Sequence, residues 1–146
     1  MQFNFSDPSK LVDDRIEHQI DFAFDRITKT PNSVNSHRLI RLAETAGNAG
    51  EVVEALFTAF FLNGLDIGEP DVLMDVGRSC GLDADTLSDY LVSDQDADDI
   101  HDQNAHAHRL GINGVPSYVF NDRMVISGAQ EPQVLARLLD AAEAAA

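Results

Sequence analysis

The sequence predicts a mostly helical α/β fold. Three observations predict it: helix-period apolar spacing runs from Val34 to Leu110, the period changes to two between Tyr118 and Ile126, and helical spacing returns after Pro132. The chain has 146 residues, 44% of them hydrophobic and 24% charged, so one soluble domain with a real core is expected over 1–146.

The elements follow in order. Ser6-Asp7-Pro8 starts a short helix through Leu11, Val12 and Ile16, because proline is tolerated in a first turn. Ile20, Phe22 and Phe24 alternate with polar or small residues, which predicts an extended segment, and Thr30-Pro31-Asn32-Ser33 breaks the chain. From Val34 a helix places Leu39, Ile40, Leu42 and Ala43 on one face and ends near Gly47. The next helix carries Val52, Val53, Leu56, Phe57, Ala59, Phe60 and Phe61 around much of its circumference, so it should be the most buried, and Gly64 stops it. Glu69-Pro70-Asp71 opens a third helix closed by Gly81, and a fourth runs from Asp83 to Ser93. A fifth is expected from about Ser93 to Leu110, ending at Gly111. Tyr118–Phe120 and Met124–Ile126 then read as two strands around the Asn121-Asp122 pair, which has the chemistry of a tight hairpin turn. Pro132 starts a last helix with Val134, Leu135, Leu138 and Leu139 as its buried stripe. A two-stranded hairpin is marginal alone in water, so this C-terminal part looks incomplete.

Composition excludes several functions. The formal net charge of −15 comes from acids spread along the chain, and the few basic residues form no patch that could neutralise phosphates, so nucleic acid is not an expected partner. No apolar run approaches the roughly 18 residues of a membrane span, so no membrane partner is expected either. The first residues carry neither a basic nor an apolar signal region, which makes the cytoplasm the expected location. Cys80 is the only cysteine, so the sequence contains no Cys-x-x-Cys pair.

Three clusters and one loop carry residues capable of chemistry. Asp94 to Asp99 resembles a calcium loop, but such a loop needs glycine at its sixth position and glutamate at its twelfth, where Asp99 and Ala105 stand. His101 and His108 lie two helical turns apart, roughly 10 Å along the axis, and His106 faces another side, so no metal site is expected. Cys80 sits near a helix C-terminus with Asp75, Asp83 and Asp85 nearby, where dipole and charges disfavour a thiolate. It reads as an inert core thiol. The most informative stretch is Gly111 to Phe120, a helix end that passes through Gly114-Val115-Pro116 into a strand. A proline there either begins an edge strand or sits in a cis peptide that holds a tight turn.

Gly114-Val115-Pro116, the strand Ser117–Phe120 and Ser127-Gly128-Ala129-Gln130-Glu131-Pro132 together resemble the C-terminal half of DsbA-like proteins of the FrnE type. Phe22 to Ile27 and Asn32 to Ile40 resemble the approach to that family's helical insertion. The resemblance implies a DsbA-like thioredoxin fold fragment: a lead-in segment over 1–33, a helical insertion over 34–110, then a cis-proline loop, β-hairpin and C-terminal helix over 111–146. It also implies protein disulfide oxidoreductase or isomerase activity by thiol–disulfide exchange, on a protein or peptide thiol or disulfide. In that family a helix N-terminus carries the Cys-x-x-Cys, which is missing here, so the chain is expected to be truncated and inactive alone, with no catalytic residue and no cofactor of its own. By resemblance Gly114, Val115 and Pro116 form the substrate-binding loop, and Asn32 and His37 match a motif near the mouth of the cleft.

Two other functions are compatible with these residues. One is a glutathione-dependent isomerase or transferase resembling 2-hydroxychromene-2-carboxylate isomerase, with glutathione as its cofactor. The other is a non-catalytic, self-associating binding module, since an unpaired strand edge and an uncovered apolar face invite a homodimer.

Overall fold

The computed structural model describes residues 20–121 and 124–145. The helix expected to start at Pro8 lies outside them. Two compact units divide between His101 and Asp102 and are taken in turn.

In the first unit the helix ends follow local chemistry. Helix α1, Val34–Ala46, stops where Gly47 adopts φ +79 and returns its N–H to the carbonyls of Ala43 and Glu44. That conformation suits a residue without Cβ. Helix α2, Ala49–Phe57, continues into a π-helical turn, Thr58–Leu62, before Gly64 at φ +68. Helix α3, Pro70–Ser79, begins with proline in its first turn and is followed by Gly81 at φ +82. Helix α4, Ala84–Val92, is capped by Asp83, whose carboxylate accepts from the Thr86 N–H at 2.9 Å and the Thr86 hydroxyl at 2.7 Å. Those two bonds hold the Asp83 carboxyl below its ordinary pKa.

The apolar stripes of these helices meet in one core. Leu39 and Ala43 of α1 pack with Val52, Leu56 and Ala59, with Leu73, Val76 and Cys80, and with Leu87. Leu39, Val52, Leu73 and Leu87 are wholly inaccessible. Gly77 permits the close approach of α3 and α4, since a Cβ there would lie 2.5 Å from the Leu87 Cδ2. Helix α2 is not buried all round, as its composition suggested. Val52 and Leu56 of α2 are buried, with Ala59 and Phe60 of the π-helical turn, while Phe57 is 55% exposed. One face of α2 meets α1 and α3, and four helices cannot enclose the other.

The segment from Ile20 to Phe24, expected to be extended, joins no described strand, and Phe24 already lies in a turn. The segment docks through the Ala23 N–H on the Phe61 carbonyl at 2.7 Å, with the Phe22 and Phe24 rings stacked 4.9 Å apart.

Helix α5 also departs from expectation. It spans Ala97–Arg109, so it starts four residues after Ser93. The cause is Arg38, only 2% exposed. Its guanidinium donates to the carbonyls of Tyr90, Ser93 and Gln95, each at 2.7 Å, and to Asn35 Oδ1 at 2.8 Å. It also lies 4.9 Å from the centre of the Tyr90 ring. A buried charge is tolerated when it is hydrogen-bonded in this way. The three carbonyls are drawn inward, so Ser93 ends α4 rather than beginning α5, and Asp98 and Asp99 supply the acidic first turn.

In the second unit, strands β1 (Ser117–Phe120) and β2 (Met124–Ser127) pair antiparallel, with Tyr118 opposite Ile126 and Phe120 opposite Met124. The turn expected at Asn121-Asp122 lies in part outside the described residues. Asn121 takes φ +51, and its Nδ2 donates to the Ala142 carbonyl at 2.7 Å. This bond ties the hairpin to helix α6, Pro132–Ala144. Phe120 and Ala142 are buried, but the stripe of α6 is not: Val134, Leu135 and Leu138 are half-buried and Leu139 is 54% exposed. Two short strands are too narrow a platform to cover a 13-residue helix. None of the described helices is long and apolar enough to cross a membrane.

Candidate functional site

The path from α5 to β1 is fixed by short-range bonds. Gly111 at φ +82 ends the helix, and the Ile112 N–H returns to the Ala107 carbonyl at 3.0 Å. Asn113 Nδ2 donates to the Gly111 carbonyl at 3.2 Å. The Ser117 hydroxyl donates to the Gly114 carbonyl at 2.6 Å, which closes a turn over 114–117. Across the hairpin the Gly128 N–H donates to the Pro116 carbonyl at 2.8 Å.

Those bonds satisfy the residues on either side of Val115 and leave Val115 itself open. Neither its N–H nor its C=O has a partner among the described residues, and the residue is 54% exposed. The bond between Val115 and Pro116 is cis. Gly114 has open space where a Cβ would stand. The arrangement is therefore a held loop presenting one donor and one acceptor of a single residue to solvent. Main-chain groups displayed this way can pair with an extended peptide, which gains affinity from backbone bonds with little demand on sequence.

The other residues singled out in the sequence lie elsewhere in the chain. Asn32 Oδ1 accepts from the Val34 N–H at 3.1 Å, which turns the chain into α1. His37, one turn into that helix, is exposed. Both belong to the first unit, and the 114–116 loop to the second. Cys80 is buried in the helical core, with the Ser79 hydroxyl 3.8 Å from its sulfur. His101, His106 and His108 are exposed on α5, and no group of acids, histidines or cysteines among the described residues could hold a metal ion.

Sequence reasoning missed Arg38 and Ser117. Arg38 stands between His37 and Leu39 in a stretch that also holds Asn35, Ser36 and Arg41, so it gave no local signal that its charge is turned inward. Ser117 gave none, because a serine at a strand start is ordinary.

No curated protein matches this sequence. A family model described as DSBA-like thioredoxin domain matches residues 9–140, which takes in the helical core, the 114–116 loop, the hairpin and most of α6. The chain therefore belongs to the DSBA-like thioredoxin domain family, a family of thiol–disulfide oxidoreductase type.

Proposed function

We propose that this chain is the substrate-docking part of a FrnE-type protein disulfide oxidoreductase or isomerase. The observation that carries the reading is Val115: its neighbours' carbonyls are engaged, and its own N–H and C=O are open. An extended segment around a substrate cysteine pairs with that residue, and Gly114 and Pro116 shape the approach. The exchange step needs a thiolate that attacks one disulfide sulfur while the other leaves as a thiolate. Cys80 does not supply it, because it is 9% exposed within the core.

Two measurements test this. The chain alone should not reduce insulin or reshuffle scrambled disulfides, and turnover lost on Cys80→Ser would overturn that part. Titration of the labelled chain with an unfolded, thiol-blocked protein should shift the Val115 amide resonance first. Shifts confined to the helical unit would refute the docking role.

Self-association has its own supporting observation. Val119, Met124 and Leu139 of the second unit are 43%, 37% and 54% exposed. A homodimer that covers them is the proposed solution state, and a monodisperse monomer by sedimentation would exclude it.

A further inference from the structure

Among the described helices α5 alone has no buried residue. It also forms no extended packing face with any other described helix or strand. A 13-residue helix in water is marginal without tertiary support, so α5 depends on how its ends are held.

The N-terminal attachment has an inner and an outer part. The connection that precedes α5 hangs on the buried Arg38 as far as Gln95. Asp96, at φ +62, accepts from the Tyr90 hydroxyl at 2.8 Å and lies 3.7 Å from Arg41 Nε. Past Asp96, the helix is joined to α1 by the ion pair of Arg41 Nη2 with Asp99 Oδ2 at 2.8 Å. Arg41 and Asp99 are 34% and 58% exposed, so solvent and salt reach this pair. The inner contacts are sheltered and dense, and the outer one is single and screened.

We propose that the Arg41–Asp99 pair is a salt-sensitive latch, and that α5 opens as a unit about Asp96 while the connection up to Gln95 stays bound to Arg38. Asp96 is where the backbone already leaves the helical region, so the break between held and released chain falls there. The inference is independent of the redox reading and stands whether or not the 114–116 loop binds peptide.

Hydrogen exchange on the full chain tests it, with Asp99→Asn set against Asp98→Asn. Both substitutions remove one negative charge from the same first turn, but Asp98 has no ion pair with Arg41. At about 0.05 M salt, amides of residues 100–109 should exchange at least roughly tenfold faster than those of 34–46. Asp99→Asn should speed residues 100–109 about two- to fivefold beyond Asp98→Asn. At about 0.5 M salt that difference should vanish, because the Debye length shrinks to a few ångströms. Equal effects of the two substitutions, or protection of α5 as strong as that of α1, would overturn the latch. Acceleration spread equally through 34–46 would overturn it too, since it would mean global loosening.

Discussion

The helical unit and the hairpin unit share one chain yet solve opposite problems. The first closes a core of nine buried residues from α1 to α4 and neutralises the cost of a buried guanidinium with four side-chain and main-chain acceptors. Among the described residues the second buries only Phe120 and Ala142, and its loop is held by hydrogen bonds rather than by packing. Stability therefore resides in the unit that does not carry the 114–116 loop, and the open main chain of Val115 resides in the unit with little core. Residues that must meet a partner cannot also be sealed inside, which is why the two properties separate.

The largest expected effect comes from the helical core. Leu39→Ala or Leu73→Ala should cost about 3–5 kcal/mol in denaturant unfolding, because both side chains are wholly buried and their neighbours belong to different helices that collapse only partly. A cost below about 1 kcal/mol would mean that this core is loosely packed, and the contrast between the units would fail.

Arg38→Met should follow at about 3 kcal/mol. It keeps the apolar stem but takes the donor from the Ser93 and Gln95 carbonyls, while the Tyr90 carbonyl keeps the Ser93 hydroxyl, and each part-buried acceptor left unpaired costs about 1–3 kcal/mol less whatever water recovers. Guanidinium-based unfolding would obscure this, so urea is the denaturant to use. The neighbouring Tyr90 hydroxyl sharpens the point through pH. Burial, then the hydrogen bond to Asp96, pushes its pKa up to about 12 from an ordinary 10. A raised pKa in the folded state means the neutral phenol is the form that stabilises, fully so below pH 10. Stability should then fall as pH climbs from about 10 to about 12, and Tyr90→Phe should flatten that limb of the curve.

What could be read in the sequence, and what could not, follows the same division between local and distant causes. Helices α1, α3 and α4 begin and end where Gly47, Pro70, Gly81 and Asp83 dictate, since a cap or a left-handed turn is decided within a few residues. The start of α5 was misplaced because Ser93 followed by aspartates looks like a helix N-cap. In the fold the Ser93 hydroxyl turns back to the Tyr90 carbonyl at 2.8 Å, and the Ser93 carbonyl goes to Arg38, 55 residues away in sequence. No local pattern announces such a partner. The Gly114-Val115-Pro116 loop was legible as a motif, but the bonds from Ser117 and Gly128 that fix it on both sides were not.

Those bonds set the next prediction. Ser117→Ala removes the hydroxyl that holds the Gly114 carbonyl, and should cost about 1 kcal/mol or less of global stability. Its larger consequence is local: the Val115 amide should broaden or shift in the spectrum of the free chain, and peptide titration at that residue should weaken. An unchanged Val115 resonance would show that the Gly128 bond to Pro116 suffices to hold the loop alone.

The smallest expected effect is at Leu139, and it sharpens the comparison most. It was expected in the buried stripe of α6, yet it is 54% exposed, because β1 and β2 offer no surface wide enough to reach it. In a dilute monomer Leu139→Gln should therefore change stability by no more than about 0.5 kcal/mol, as for surface substitutions generally. If the same substitution costs about 2 kcal/mol or more, and the cost grows with protein concentration, something covers Leu139 in solution. The hairpin unit would then owe its stability to a second copy, whereas the helical unit owes its own to Leu39 and the residues around it.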